Sequence, residues 1–444
     1  MSIRIINDIA EARRTVLARK PLADEELSAG VRAGIRRIFG EDLSAAQVVE
    51  RILGDVRRDG DVALRAYTEA IDGVLLDDLL VSESELYDGL QQVEPGVIEA
   101  LRTAAGRIEA FHRRQVRQSW FNLDEHGTLG QIVRPLARVG LYVPGGTAAY
   151  PSSLLMSAIP ARVAGVKEIV VASPPGRDGK LPPVTLAAAH VAGVDRIVKA
   201  GGAQAIGALA YGTASVPRVD KILGPGNIFV TLAKSRVFGQ VAIDAPLGPT
   251  ETMLIADDSA NPVLVAADLL AQAEHDPLAS PILLTTSPEL AERVADAIME
   301  QLPHLSRQAI ALAAFENNGG IVIVPDLYAA VELANDYAPE HLCLLVRDPW
   351  ALVERVRNAG GVFLGEASAE VLGDYVAGPS HSMPTGGAAR FFSPINVEEF
   401  LKVTSLFALN DRALRELGPA AITLAEAEGF TAHAAAVRRR LETD

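Results

Sequence analysis

Four of the eight histidines in this 444-residue chain sit in settings where chemistry can be done. Gln272-Ala273-Glu274-His275-Asp276 closes a helical stretch. A spacing of three puts Gln272 and His275 on one helix face, compatible with two donors to one metal ion. Glu340-His341 stands where the loop YAPEH enters the apolar run LCLLV. Asp374 and Ser380-His381 follow the strand-like GGVFLG, and Glu428 and His433 lie in AEGFTAHAAAV near the last helix. Nitrogen and oxygen donors without thiolate suit zinc, and manganese less well. Each position also has an ordinary reading. A helix-end histidine is commonly a cap or surface residue, Glu340 beside His341 a surface ion pair, and Asp374 a turn residue. What those readings leave unexplained is the grouping of acids, histidines and Pro/Gly loops at element ends in one half of the chain.

Other chemistries find less support. Cys343 is the sole cysteine, which excludes an intrachain disulfide and any multi-thiolate metal site. Two residues beyond His341 in an apolar run, it reads as a buried core thiol rather than a nucleophile. There is no H-E-x-x-H and no G-x-S-x-G, so neither a zincin protease nor a serine hydrolase is indicated. Three glycine-rich turns, GLYVPGG (140–146), KAGGAQAIGALAYG (199–212) and ILGPGN (222–227), follow strand-like runs. None is a G-x-G-x-x-G, and each alone is an ordinary turn. Three in consecutive units, at strand carboxyl ends and helix starts, favour a nucleotide.

These residues must be carried by a scaffold, and its outline is readable. Composition is 49% hydrophobic and 22% charged, which excludes wholesale disorder. A net charge of −15 argues against a nucleic-acid partner, since no broad basic surface is available for phosphates. The start has no continuous apolar core of a signal peptide, and no apolar run approaches the roughly 18 residues of a membrane span. A cytoplasmic protein without membrane contact is expected. Residues 1–120 read as mostly helical: Val48, Ile52 and Val56 recur at helical spacing behind a candidate N-cap, Ser44, and Pro95 suits a first helical turn. From about residue 130, β-branched runs (138–143, 168–173, 196–200, 220–224) alternate with Ala-rich helices. The pattern restarts at 251, which predicts an α/β fold of two successive parallel-sheet units, without a residue-level repeat. A largely helical tail is expected from about Val397.

The strings GLYVPGG, GGAQAIGALAYGT, VDKILGPGN, AADLLAQAEHD, APEHL, GDYVAGPSH-x-x-PTGG, ARF and EGF-x-AH run in order to residue 433. With them the chain resembles the histidinol dehydrogenase family. The resemblance implies two Rossmann-like domains and a homodimer with shared active sites, each holding one zinc. L-Histidinol would be oxidised to L-histidine, through the aldehyde, with two NAD⁺. It further implies a helical region at 1–130 packing on the second α/β unit, an NAD-binding domain at 131–248, a substrate- and zinc-binding domain at 249–385, and a tail at 386–444 reaching the partner subunit. Carried over by motif, Gln272, His275 and Asp374 would hold zinc with His433 of the other subunit. Glu340 and His341 would be the acid/base pair. Thr250, His381 and Glu428 would join His341 and the zinc ligands around the substrate, and Tyr142, Gln204 and Asn227 would face NAD. Thr250 stands where many members carry serine, keeping the hydroxyl and adding a methyl. One rival is a dehydrogenase on this scaffold for another small alcohol, such as a sulfopropanediol, although no obvious arginine beyond Arg390 is placed to meet an anion. Another is a non-catalytic nucleotide- or metal-binding protein.

Overall fold

The computed structural model describes residues 3–19, 27–145, 149–245 and 248–442. Gly146 of the first glycine turn therefore lies outside the described residues. Two parallel sheets dominate the chain. The first contains β4 (Arg138–Tyr142), β5 (Glu168–Ser173), β6 (Arg196–Lys199), β7 (Lys221–Leu223) and β8 (Ala242–Ile243), in the order β6-β5-β4-β7-β8. The second contains β9 (Glu251–Ala256), β10 (Ser280–Thr285), β11 (Gly320–Ile323), β12 (His341–Leu345) and β13 (Gly361–Leu364). Its order is β11-β10-β9-β12-β13, with the short β1 (Ile5–Ile6) added beside β11. Counted from the first strand of each unit, both sheets therefore run 3-2-1-4-5. The duplication invisible at residue level is present in topology.

Both sheets are covered on both faces, which explains their continuous apolar strands. Successive side chains alternate across β9: Leu254 and Ala256 enter one core, Met253 and Ile255 the other. In β5, Val170 and Ala172 face one layer and Ile169 and Val171 the opposite one. The sequence-predicted strands coincide with β4–β7 and β9–β13 to within three residues at their ends.

The N-terminal helices correct one expectation. They pack on the helices of the first unit, not on the second unit. The helix Ala45–Asp59, held by a Ser44–Gln47 capping box, lays Val48, Ile52 and Val56 against the core of β5 and β7. Gly207, on the helix Gly202–Tyr211, permits that approach: a Cβ there would lie 3.1 Å from Leu53 and 3.2 Å from Val56. The helix Pro95–His112 covers the opposite face through Leu101, Ala104 and Ile108. The Ala-rich helices of the first unit present little side-chain bulk, and longer apolar residues from the N-terminal helices complete that core. Only the first stretch, with Ile3, Ile6, Ala12 and Val16, serves the second sheet.

A second correction concerns the strands outside the two units. β2 (Trp120–Asp124) and β3 (Gly127–Pro135) form an antiparallel hairpin, and β14 (Leu401–Leu409) pairs with β3 along its whole length. The C-terminal tail thus begins with a strand before its helices Asp411–Ala427 and Thr431–Leu441. The run LKVTSLFAL is rich in β-branched and apolar residues but lacks a clean apolar/polar alternation, so periodicity does not report the strand. Among the described residues no helix is long and apolar enough to cross a membrane.

Candidate active site

The helix Pro262–Ala273 leaves the carboxyl end of β9 and returns to the sheet's amino end, delivering Gln272 and then His275. The helix Glu370–Tyr375 likewise returns from β13 and delivers Asp374. Glu340 and His341 stand at the first residues of β12, beside Glu251 at the start of β9. The cluster therefore gathers at the amino edge of the second sheet, whereas the usual crevice of open parallel sheets lies at the carboxyl edge.

Its geometry is tight. Gln272 Nε2 donates to Asp374 Oδ2 (3.0 Å), and Asp374 Oδ1 lies 3.5 Å from His341 Nε2. On its other side, His341 Nδ1 lies 3.6 Å from Glu340 Oε2 and 3.4 Å from the Glu251 carbonyl oxygen. Glu340 Oε2 also accepts the Glu251 backbone N–H at 3.1 Å. Burial pushes the Glu340 carboxyl up to about 8, against the attraction of His341. Burial works the other way on His341, yet Glu340 and Asp374 prevail and raise it to about 10. For Asp374 burial opposes ionisation, and the hydrogen-bonded His341 holds it below the usual carboxylate range. His275 is kept neutral by burial.

His381 closes the cluster and joins it to the first unit. Its Nδ1 lies 2.6 Å from the Asp374 carbonyl oxygen, which can only accept, so that nitrogen carries the proton. Nε2 is then the acceptor for the Ser153 hydroxyl, 3.1 Å away, and burial keeps the ring neutral. Ser153 lies in the first turn of the helix Pro151–Ala164, just after β4. Behind His341, the fully buried Glu370 accepts from Thr252 Oγ1 and from Cys343 Sγ (2.8 Å), and burial lifts both its carboxyl and the Cys343 thiol. Cys343 is thus a buried, protonated thiol, not a nucleophile.

The glycine turns lie at the carboxyl edge of the first sheet, the edge that Ser153 ties to the cluster. Tyr142 ends β4, and its hydroxyl accepts the Gly202 N–H at 3.1 Å; burial pushes it up to about 12. Gln204 is fully buried, and among the described residues neither amide atom has a hydrogen-bond partner. Such an orphaned amide costs about 1–3 kcal/mol, an arrangement that a ligand's polar groups would relieve. Asn227 caps the helix Ile228–Val237, its Oδ1 accepting from Phe229 and Val230. Gly224 has φ +115°, and a Cβ there would meet the Tyr142 carbonyl oxygen at 2.1 Å, so only glycine fits this turn.

Comparison with known proteins completes the picture. The family model described as histidinol dehydrogenase matches residues 37–441. The chain belongs to the histidinol dehydrogenase family. A histidinol dehydrogenase of Deinococcus radiodurans is 53% identical over 438 residues, covering 98% of this chain and 99% of its own length. One of Dehalococcoides mccartyi is 48% identical over 99% of this chain and all of its own length. The crystal structure of histidinol dehydrogenase from Elizabethkingia anophelis superposes with a TM-score of 0.91 at 34% identity, covering 99% of this chain and 98% of that one.

Of the residues that the histidinol dehydrogenase motifs single out, the fold assembles Gln272, Asp374, Glu340, His341 and His381 directly. His275 follows Gln272 at the end of the same helix, and Thr250 precedes Glu251, its carbonyl accepting from Ser280. Glu428 and His433 are exposed at the junction of the two C-terminal helices, where the His433 ring packs on Phe430, and among the described residues no interaction joins them to the cluster of their own chain. Among the described residues no group of three or more His, Cys, Asp or Glu side chains is disposed to hold a metal. Gln272, His275 and Asp374 contribute one imidazole, one carboxylate and one amide, an incomplete set. Sequence reasoning missed Glu251, Glu370 and Ser153. Glu370 sits one helical turn before Asp374, and Glu251 follows Thr250, so both were within reach of spacing arguments; Ser153 was not.

Proposed function

We propose that this chain is a zinc-bearing, NAD-linked dehydrogenase oxidising L-histidinol through the aldehyde to L-histidine, the closing steps of histidine biosynthesis. It works in the cytoplasm as a homodimer with one zinc per subunit. The observation that carries the reading is the buried Glu340–His341 pair beside the Gln272–Asp374 contact, in a chain of this family. Gln272, His275 and Asp374 suit a metal, since Asp374 is held ionised and His275 neutral, the states a ligand requires. His433 from the other subunit would complete four donors, and Thr250, His381 and Glu428 would line the substrate. Tyr142, Gln204 and Asn227 would face the dinucleotide. When bound, zinc supplies an anchor for the nitrogens of histidinol and NAD⁺ supplies the hydride acceptor.

The chain's own residues move the protons. His341 Nδ1 is turned toward Glu340 and the Glu251 carbonyl, and Nε2, 3.5 Å from Asp374 Oδ1, is the nitrogen on the metal-ligand side that would take the alcohol proton as hydride departs. Glu340 and Asp374 raise the ring to about 10, so only its neutral form can take this proton and the alcohol step should quicken as pH rises toward that value. Glu340, brought by burial near neutral pH, then takes a proton from the water that adds to the aldehyde, giving the hydrate for the second oxidation.

The test is NADH formed per L-histidinol consumed on metal-analysed protein, before and after chelation. About two NADH per substrate, lost on chelation and restored by zinc, is expected. No NADH from histidinol by protein that binds zinc and NAD⁺ would refute the substrate assignment.

A further inference from the structure

The stretch that leads out of the first helix ends, within the described residues, at Arg19, outside the 37–441 span matched by the family model. Its guanidinium is nonetheless at the centre of the cluster's support. It forms a two-pronged ion pair with the Glu251 carboxylate, with Nη2 2.9 Å from Oε2. It also donates to the Tyr337 carbonyl (2.9 Å from Nε) and to that of Ala338 (3.2 Å), and stacks 3.9 Å over the Tyr337 ring. Glu251 in turn accepts the Gly386 N–H at 2.9 Å. The Arg19 side chain is 27% exposed and that of Glu251 8%. One side chain thus ties together the N-terminal stretch, the start of β9, the loop before Glu340 and the loop after His381.

Two further observations connect this hub to the chemistry. The Glu251 peptide brackets the pair: its N–H is donated to Glu340 Oε2, and its carbonyl faces His341 Nδ1. Ala338, whose carbonyl Arg19 holds, is the one non-glycine residue with positive φ (+53°) among the described residues. A left-handed alanine persists where its surroundings over-determine it, and such residues gather at functional sites. A lysine in place of Arg19 would keep the charge and lose the fork that serves a carboxylate and two carbonyls at once.

We infer that Arg19 is a positioning residue, holding Glu340 and His341 in register through the Glu251 peptide and the 337–338 carbonyls. The inference rests on the proposed roles of Glu340 and His341, so Glu340→Gln is the control. The experiment measures NADH formation by the full-length Arg19→Ala and Arg19→Lys proteins, with L-histidinol and with L-histidinal as separate substrates. Circular dichroism and NAD⁺ affinity report the fold.

A catalytic pair displaced by about 1 Å loses roughly 100-fold in rate. The expected result is a kcat loss of that order with L-histidinal, KM for L-histidinol and NAD⁺ affinity close to wild type, and Arg19→Lys only partly active. Millimolar guanidinium should restore part of the Arg19→Ala rate, and Arg19→Ala should add little to Glu340→Gln. Should Arg19→Ala not fold, Glu251→Gln, which keeps the acceptor for Gly386 and removes the charge, is read for the same kcat loss. A normal kcat in folded Arg19→Ala, or parallel losses in kcat and KM without guanidinium rescue, overturns the inference. Full activity in the Glu340→Gln control instead overturns the reading of the site itself.

Discussion

The turn that carries Gly224 and Asn227 is built on a buried charge pair whose removal makes a measurable prediction. Lys234, on the helix Ile228–Val237, pairs with Asp244 just after β8, their side chains 3% and 5% exposed. Lys234 Nζ donates to the Gly224 carbonyl at 2.9 Å, and Asp244 Oδ2 accepts the Gly224 N–H at 2.7 Å. Both polar groups of one peptide position are thus held by one ion pair. Lys234→Met strands a carboxylate, for which breaking a buried pair costs about 3–5 kcal/mol. Lys234→Met/Asp244→Asn removes both charges and keeps an acceptor for the Gly224 N–H. It should cost only about 1–2 kcal/mol, for the single orphaned carbonyl. The double variant should therefore be more stable than the single one in urea unfolding. Its pH dependence follows from the sign. An unpaired buried Asp244 has a folded pKa above its unfolded 3.8, an effect already set by burial. The protonated form is then the one the fold tolerates, and the deficit of Lys234→Met grows as pH rises through the interval between the two values, by about 1.4 kcal/mol per unit. A single variant within about 1 kcal/mol of wild type at pH 8, or no more destabilised there than at pH 4, would refute the reasoning.

Four other outcomes are expected. Glu340→Gln should slow oxidation of L-histidinal more than hydride removal from the alcohol. It should also abolish the rise in the aldehyde step toward pH 8, because the carboxylate is the active base and exists above its raised pKa. His275→Asn should lower zinc content measured by atomic absorption; unchanged metal would remove it from the ligand set. Gln204→Met removes an orphaned amide, so the free protein should gain roughly 1 kcal/mol in denaturant unfolding while its NAD⁺ affinity falls. Mixing Glu340→Gln and His433→Asn chains, each impaired in forming L-histidine, should raise activity above that of either alone if sites are shared between subunits, and heterodimers without that gain would contradict tail exchange.

Strand positions were readable because both sheets are buried on two faces, so that runs such as EIVVAS and ETMLIA carry no helical period. The N-terminal helices were readable as helices, but their destination was not. Which unit receives Val48, Ile52 and Val56 depends on the small Ala203, Ala205 and Gly207 facing them, a complementarity between segments that periodicity does not report. The strand Leu401–Leu409 is exposed along most of its length, so burial gave it no apolar face to recognise. Glu340, His341, Asp374 and Gln272 stood out by type and spacing. Arg19 and Ser153 did not, because each acts across a long sequence separation and neither carries a local motif.

The two units of repeated topology carry their distinctive residues at opposite edges. In the first, the carboxyl edge carries the glycine turns and the helix start at Ser153, where backbone N–H groups favour a phosphate. In the second, the amino edge carries Glu251, Glu340 and Asp374, with Glu370 buried behind; Asp374, held below the usual carboxylate range, supplies a negative charge that attracts a cation. Within the chain Arg19 meets Glu251 on one side and His341 lies in the middle. Gln272, His275 and Asp374 lie on the remaining side, where among the described residues no cationic side chain pairs with Asp374 except His341. The two edges meet at the Ser153–His381 contact. A dinucleotide on the first edge and a cation-anchored substrate on the second would therefore present their reacting ends to each other at the Glu340–His341 pair. Exchanging Ser153 for alanine tests that junction. It leaves both edges intact and frees His381 Nε2, so substrate and NAD⁺ should each still bind while turnover falls. Loss of either binding alone would place Ser153 in one site rather than between two.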